Sequence, residues 1–314
     1  MRILCGGGAG FIGCELVPTL LKLGHDVKVI DLLWFGNYLP KEVSVVKKDL
    51  FDCTEEDFRE IDVFIFLAGL SNDPMAEYSP AQNFTSNGAL PPFLAYLCRN
   101  AGVKRFIYAS SASVYGFTDK ICTEKDRIDS NYPYGISKLI GEQVLQLQDN
   151  NFSVIALRQG TVCGVSPRIR FDLIVNTMFK TALTEGKIVV NNPDIWRPIY
   201  DLRDCVKGYE KALQSNVSGV FNMGAENLTV LQIAEIIKET LLQEIDLEIL
   251  LEIKNIPDKR NYRLSFDKAK DMLGFEAKYT VKDTVKSLIN NRKKTGDMNQ
   301  DKYYNIKTFK SLWQ

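Results

Sequence analysis

Arg2-Ile3-Leu4-Cys5-Gly6-Gly7-Gly8-Ala9-Gly10-Phe11-Ile12-Gly13 opens the chain and decides how the rest is read. Arg2 to Cys5 is a short apolar strand. From Phe11 to Leu23 the apolar residues Ile12, Leu16, Leu20 and Leu23 recur at helical spacing. The glycines between strand and helix let the chain turn sharply. The turn aims backbone N–H groups and the positive end of a helix at one point, where a phosphate is attracted. Two registers fit the spacing, Gly8/Gly10/Gly13 and Gly7/Gly10/Gly13. A glycine pattern alone is weak evidence; the strand before it and the helix after it supply the context a dinucleotide site requires.

Val27-Lys28-Val29-Ile30-Asp31 is a second apolar strand ending in an acid. Asp31 lies about twenty residues past the glycines, where a carboxylate meets the hydroxyls of an adenosine ribose. A 2′-phosphate would be repelled there, and no Lys or Arg follows until Lys41, so NAD is favoured over NADP. Buried strands are predicted again at Val43 to Lys47, Val63 to Leu67, Arg105 to Ser110 and Ser153 to Leu157, with helical stretches between several of them. That alternation predicts an α/β fold, a Rossmann-type doubly wound parallel sheet. After about Val165 the pattern changes, and a smaller C-terminal substrate-binding lobe is predicted. Residues 1–164 form the cofactor lobe, with 189–213 returning to it; 165–188 and 214–291 form the second lobe; 292–314 is a polar tail, loosely held until Tyr303. Pro91-Pro92 interrupts a helical segment and predicts a kink or a helix start.

The 314 residues carry 39 Lys+Arg and 39 Asp+Glu, so no basic stripe points to nucleic acid. No apolar run approaches a membrane span. The seven cysteines are scattered without a CxxC pair, which, with no secretory signal in view, predicts free thiols and a cytoplasmic protein. A single histidine, His25, stands in a predicted surface turn. It leaves no partner set for a Ser-His-Asp hydrolase or a zinc site, and no metal is expected.

Tyr134 and Lys138 stand four residues apart in Tyr132-Pro133-Tyr134-Gly135-Ile136-Ser137-Lys138, and so share one helix face. A free phenol needs its pKa lowered by about three units, or roughly 4 kcal/mol, to act as a base near neutrality. One positive charge about 5 Å away, at an effective dielectric near 20, supplies roughly 3 kcal/mol of this. Upstream, Ser110-Ser111-Ala112-Ser113-Val114-Tyr115-Gly116 is a serine-rich strand end.

Together these motifs resemble the extended short-chain dehydrogenases/reductases, specifically the NAD-dependent sugar-nucleotide epimerase/dehydratase group, from Gly7 to about Ile289. The resemblance implies NAD across Gly7, Gly10, Phe11, Ile12, Gly13 and Asp31, with Asp49-Leu50 at the adenine and Leu67-Ala68-Gly69 under the cofactor. Asn87 would hold the core of that site. Tyr134 would be the base and acid, Lys138 its tuning cation, and Ser111, with Ser113 in reserve, the group that orients the substrate oxygen. Thr161, Arg168, Arg197, Arg260 and Arg263 would face a nucleotide-sugar substrate, the last two from a late loop spanning Asp258 to Arg263. A homodimer through the Tyr134 helix and its neighbour is expected by analogy.

Ala112 and Ser113 stand where family members that eliminate water or decarboxylate carry acids, so those reactions are discounted. Redox chemistry at one ring carbinol, C4, remains. A 4-epimerase is expected first and a 4-ketoreductase or 4-dehydrogenase second; a non-catalytic dinucleotide-binding regulator is the remote alternative.

Overall fold

The computed structural model describes residues 1–256 and 260–312. The first half of the chain runs β1 (Arg2–Gly6), α1 (Gly13–Lys22), β2 (Asp26–Asp31), β3 (Ser44–Lys47), β4 (Val63–Phe66) and α2 (Asp73–Tyr78). It continues through α3 (Pro80–Asn83), α4 (Leu90–Asn100), β5 (Arg105–Ser111), β6 (Phe117–Cys122), α5 (Pro133–Gly141) and β7 (Ser153–Gln159). Next come β8 (Thr161–Cys163), α6 (Ile174–Glu185), β9 (Lys187–Asn191), β10 (Trp196–Asp201), α7 (Leu202–Gln214), β11 (Gly219–Met223) and β12 (Glu226–Thr229). The chain closes with α8 (Val230–Ile245), β13 (Leu250–Lys254), β14 (Asn261–Leu264), α9 (Asp267–Leu273), α10 (Val281–Thr295) and α11 (Asn305–Leu312).

Seven strands form one parallel sheet in the order β11-β7-β5-β4-β1-β2-β3. Helices cover both faces, so a central strand such as β4, Val-Phe-Ile-Phe, is buried at every position. Alternate residues serve opposite layers. Ile3, Cys5 and Ile65 pack against Leu16 and Leu20 of α1 and Tyr209 of α7. Leu4, Phe64 and Phe66 pack against Leu94 of α4 with Phe106 and Tyr108. A second core joins α6, α8 and α10 to β9 and β10 through Val175, Phe179, Ile188, Ile233, Ile237 and Val285. Thr229 starts α8 with a capping box to Gln232.

Two strands sit elsewhere than the sequence division placed them. Residues 219–223, assigned to the smaller lobe, are β11 at the edge of the main sheet, paired in parallel with β7 from Gly219↔Ile155 to Met223↔Gln159. Residues 189–191, assigned back to the cofactor lobe, belong to β9, which pairs with β13. Both pairings join segments more than sixty residues apart, and short apolar strands do not announce their partners. Pro91-Pro92 stand where the helix changes type: α4 begins at Leu90 directly from π-helical turns at Phe84–Ala89, with helical backbone on both sides of the junction.

The tail is docked on both sides of Tyr303. The Tyr303 hydroxyl donates to the Thr295 carbonyl at 2.7 Å, and its own carbonyl accepts from the Phe171 N–H at 3.0 Å. Phe309 of α11 is buried with Leu70 and Met75. All seven cysteines are buried thiols. Among the described residues no helix is long and apolar enough to cross a membrane.

Candidate active site

The main sheet reverses direction of winding between β1 and β4, and a crevice opens there beyond the strands' carboxyl ends. It is a cleft of about 890 Å³, walled on its far side by residues of the second half.

Gly7, Gly10 and Gly13 line the cleft, whereas a Cβ on Gly8 would strike Val29 behind it at 2.9 Å. Of the two registers, Gly7/Gly10/Gly13 therefore faces the ligand space. Gly7 has φ +79°, and a Cβ there would lie 2.5 Å from the Ala68 nitrogen. A Cβ on Gly13 would lie 2.2 Å from the Gly8 carbonyl oxygen, so the start of α1 can approach the turn only without one. A Cβ on Gly10 would meet only the Gly7 carbonyl, at 3.3 Å. That open face fits a diphosphate resting on the backbone. Phe11 and Ile12 complete the rim.

Asp31 ends β2 with both oxygens engaged: Ala9 N–H donates at 3.0 Å and Leu33 N–H at 2.7 Å. Burial raises its pKa, while these two amides and the charge of Arg168 pull it down. Asp49, Leu50, Leu67, Ala68 and Gly69 also line the cleft, and the Asp49 carboxylate accepts from Phe51 N–H at 3.0 Å. Asn87 is not in the lining. It sits behind, accepting from Leu70 N–H at 3.0 Å and donating to the Leu70 carbonyl at 2.9 Å. A Cβ on Gly69 would come within 2.1 Å of the Asn87 Oδ1, so Asn87 fixes the loop under the cleft from outside it.

Ser111, Ser113, Tyr134 and Lys138 share the wall between β5 and α5. α5 reaches this position because Gly135 and Gly141 lack side chains: a Cβ would lie 2.4 Å from the Ser113 carbonyl oxygen and 2.2 Å from the Tyr108 hydroxyl, respectively. The Lys138 Nζ donates to the Ala109 carbonyl at 2.9 Å and lies 6.0 Å from the centre of the Tyr134 ring. Burial lowers the Lys138 pKa to about 8. Burial, then the Asp73 carboxylate, raise the Tyr134 phenol well above its usual range, and a hydrogen bond to Ser111 opposes them. In the protein alone, burial thus disfavours the phenolate.

Several basic residues also line the cleft: Arg168, Arg170, Arg197 and Arg260, with Thr161. Arg197 donates to the Arg260 carbonyl at 2.6 Å, and Arg260 forms an ion pair with Asp73 at 2.7 Å. Arg263 does not line it. Strand β14 alternates, so Tyr262 faces the cleft while Arg263 stacks over Trp196 at 4.9 Å and donates to the Asp119 carbonyl. Asp258, where the sequence begins this loop, lies outside the described residues. His25 is also absent from the lining.

Three lining residues, Tyr262, Asp73 and Asn305, were not singled out by the sequence reading. The Tyr262 hydroxyl lies 3.3 Å from Ser113 Oγ. Asp73 was visible only as part of a polar run. Arg170, weighed from the sequence as a ligand contact alongside Arg168, also lines the cleft and is paired with Asp172 at 2.8 Å. Asn305 comes from the tail and left no signal.

The family described as NAD dependent epimerase/dehydratase matches residues 3–224. The chain is 28% identical over 307 residues to an uncharacterised UDP-glucose epimerase of Bacillus subtilis, covering 90% of this chain and 95% of that one. It is 27% identical over 316 residues to a UDP-glucose 4-epimerase of Lactobacillus helveticus, with 91% and 94% covered. It is 26% identical over 289 residues to UDP-glucuronic acid decarboxylase 1 of Danio rerio, with 88% and 68% covered. MoeE5, solved in complex with UDP-glucuronic acid and NAD, superposes with a TM-score of 0.82 at 24% identity, covering 94% of this chain and all of that one, which shows a shared fold. With the family matched over most of its length, the chain belongs to the NAD dependent epimerase/dehydratase family and is an enzyme.

Proposed function

We propose that this enzyme interconverts nucleotide sugars by redox chemistry at the C4 carbinol, as a sugar-nucleotide 4-epimerase. The observation that carries this is the meeting of Tyr134, Ser111 and the Lys138 ammonium on one wall of the cleft that also holds the glycine turn. When bound over this wall, oxidised nicotinamide supplies a hydride acceptor and a positive charge. Tyr134 takes the hydroxyl proton, Lys138 stabilises the phenolate electrostatically, and Ser111 holds the same oxygen in line. Arg197 and Arg260 suit the sugar nucleotide's diphosphate, since a guanidinium can engage it through two donors. A relative named UDP-glucose 4-epimerase supports the reading. Ala112 and Ser113 provide no acid after Ser111 for moving a C5 proton.

The test is incubation of the purified chain and NAD with UDP-glucose or UDP-galactose. Expected are both epimers with no net NADH. Stoichiometric NADH would instead assign a 4-dehydrogenase. Tyr134→Phe should keep the fold and NAD binding while turnover falls roughly 10²- to 10⁴-fold; unchanged turnover would refute the assigned role. We also propose a homodimer through α4 and α5, supported by the exposed Phe93, Tyr96 and Ile140 on these helices.

A further inference from the structure

Arg168 stands out among the buried charges. It is 3% exposed and lines the cleft, yet among the described residues no carboxylate pairs with it. Its partner is a neutral amide, the Asn305 side chain, to which Nη2 donates. Its Nε is buried without any hydrogen-bond acceptor. The neighbouring Arg170 is already neutralised by Asp172 at 2.8 and 3.1 Å. A buried guanidinium left in this state costs several kcal/mol unless an anion joins it.

Its location says which anion. Ser166 Oγ donates to the carbonyl of Phe11, in the glycine turn, at 2.9 Å and accepts from the Arg168 N–H at 3.2 Å, which moors this stretch on the start of α1. The guanidinium lies 3.7 Å from the centre of the Phe35 ring, just past Asp31. Arg197 and Arg260 stand together by Tyr262, joined by their own hydrogen bond. One cation group thus rides on the glycine turn and another serves the sugar end. The two would suit two different diphosphates.

We propose that Arg168 neutralises the diphosphate of the bound dinucleotide rather than that of the sugar nucleotide, and that the C-terminal segment seats it there through Asn305. The proposal rests on NAD occupying the cleft. Asn305 has no spare freedom: its N–H donates to Asp172 Oδ2 at 3.0 Å and its amide to Ser71 Oγ at 2.8 Å. Ser71 Oγ also accepts from Arg170 at 3.0 Å, so one tail residue ties together two loops that border the cofactor. The tail therefore sets how firmly the dinucleotide is held.

The test uses the full chain stripped of cofactor and titrated by calorimetry with NAD and, separately, with UDP. Arg168→Met should weaken NAD roughly 10- to 100-fold, the effect of one charge-assisted contact, and leave UDP within about twofold. Its melting temperature without ligand should hold or rise, because an uncompensated charge has been removed. Arg168→Lys should recover part of the NAD affinity, an ammonium being a single point of contact. Arg168→Gln, which keeps a donor for Asn305, gives the same readout if the Met variant does not fold. Weakened UDP with unchanged NAD would hand Arg168 to the sugar nucleotide and overturn the proposal. Unchanged affinity for both, with a lowered melting temperature, would make it a structural residue. Wild type that binds no NAD would remove the cofactor reading itself, and this proposal with it.

Discussion

Arg158 and Arg168 are each 3% exposed, and their surroundings could hardly differ more. Arg158 reaches Glu142 through Nε at 2.8 Å and Nη2 at 2.7 Å, while its Nη1 donates to the Tyr115 hydroxyl at 2.8 Å. Ser110 adds a 2.6 Å bond to the same carboxylate. Burial pulls the Arg158 pKa down, but the Glu142 hydrogen bonds and charge more than reverse it. Arg168 has no such partner, and burial followed by the charge of Arg170 lowers it to about 9. The first arginine is complete in the protein alone, where it ties β5 and β7 to the residue that caps α5, behind the wall that carries Ser111 and Tyr134. The second is incomplete until an anion arrives. Equal burial therefore conceals opposite purposes, and the presence of a compensating charge tells them apart.

Breaking the complete pair should have the largest effect. Glu142→Leu strands Arg158 and should cost about 3–5 kcal/mol in urea unfolding, while the double change with Arg158→Met should regain most of that loss. By the same measurement Arg168→Met should cost less than about 1 kcal/mol, and a loss as large as that of Glu142→Leu would erase the contrast. Lys138 offers a third, intermediate case, a buried cation bonded only to a carbonyl. Its ammonium ionises near pH 8 in the fold and near 10.5 in the unfolded chain, so the unfolded state binds the extra proton between these values. Wild type should consequently gain on Lys138→Met as pH rises from about 8 to about 10, by up to roughly 3 kcal/mol. A difference that stays flat across this window would show that Lys138 keeps its full charge. The smallest effect is expected from Asn305→Ala, which leaves the Arg168 charge but frees its position; NAD affinity should fall roughly three- to tenfold with UDP affinity untouched.

The same contrast explains what was readable in the residues themselves. The glycine turn, Asp31 and the Tyr134/Lys138 pair are short-range patterns: spacing alone brings their members together. The α/β sheet followed from strand–helix alternation for the same reason. Gly7/Gly10/Gly13 could not be separated from Gly8/Gly10/Gly13, because the choice depends on Val29 of the next strand. β11 and β9 were misplaced because strand partners are chosen across long stretches of chain. Arg263 was set at the ligand because a loop was expected where β14 alternates instead. Asn305 was invisible, since its contacts with Ser71 and Arg168 span 234 and 137 residues.

One consequence concerns how the molecule is made. The glycine turn is formed by residues 7–13, yet the segment that finishes the same cleft, through Asn305 and the Phe309 cluster, is translated after every strand of the main sheet. A ribosome-bound chain that has already assembled its parallel sheet still has an unroofed cofactor groove. Closure of the groove therefore waits for a segment made long after the turn it covers.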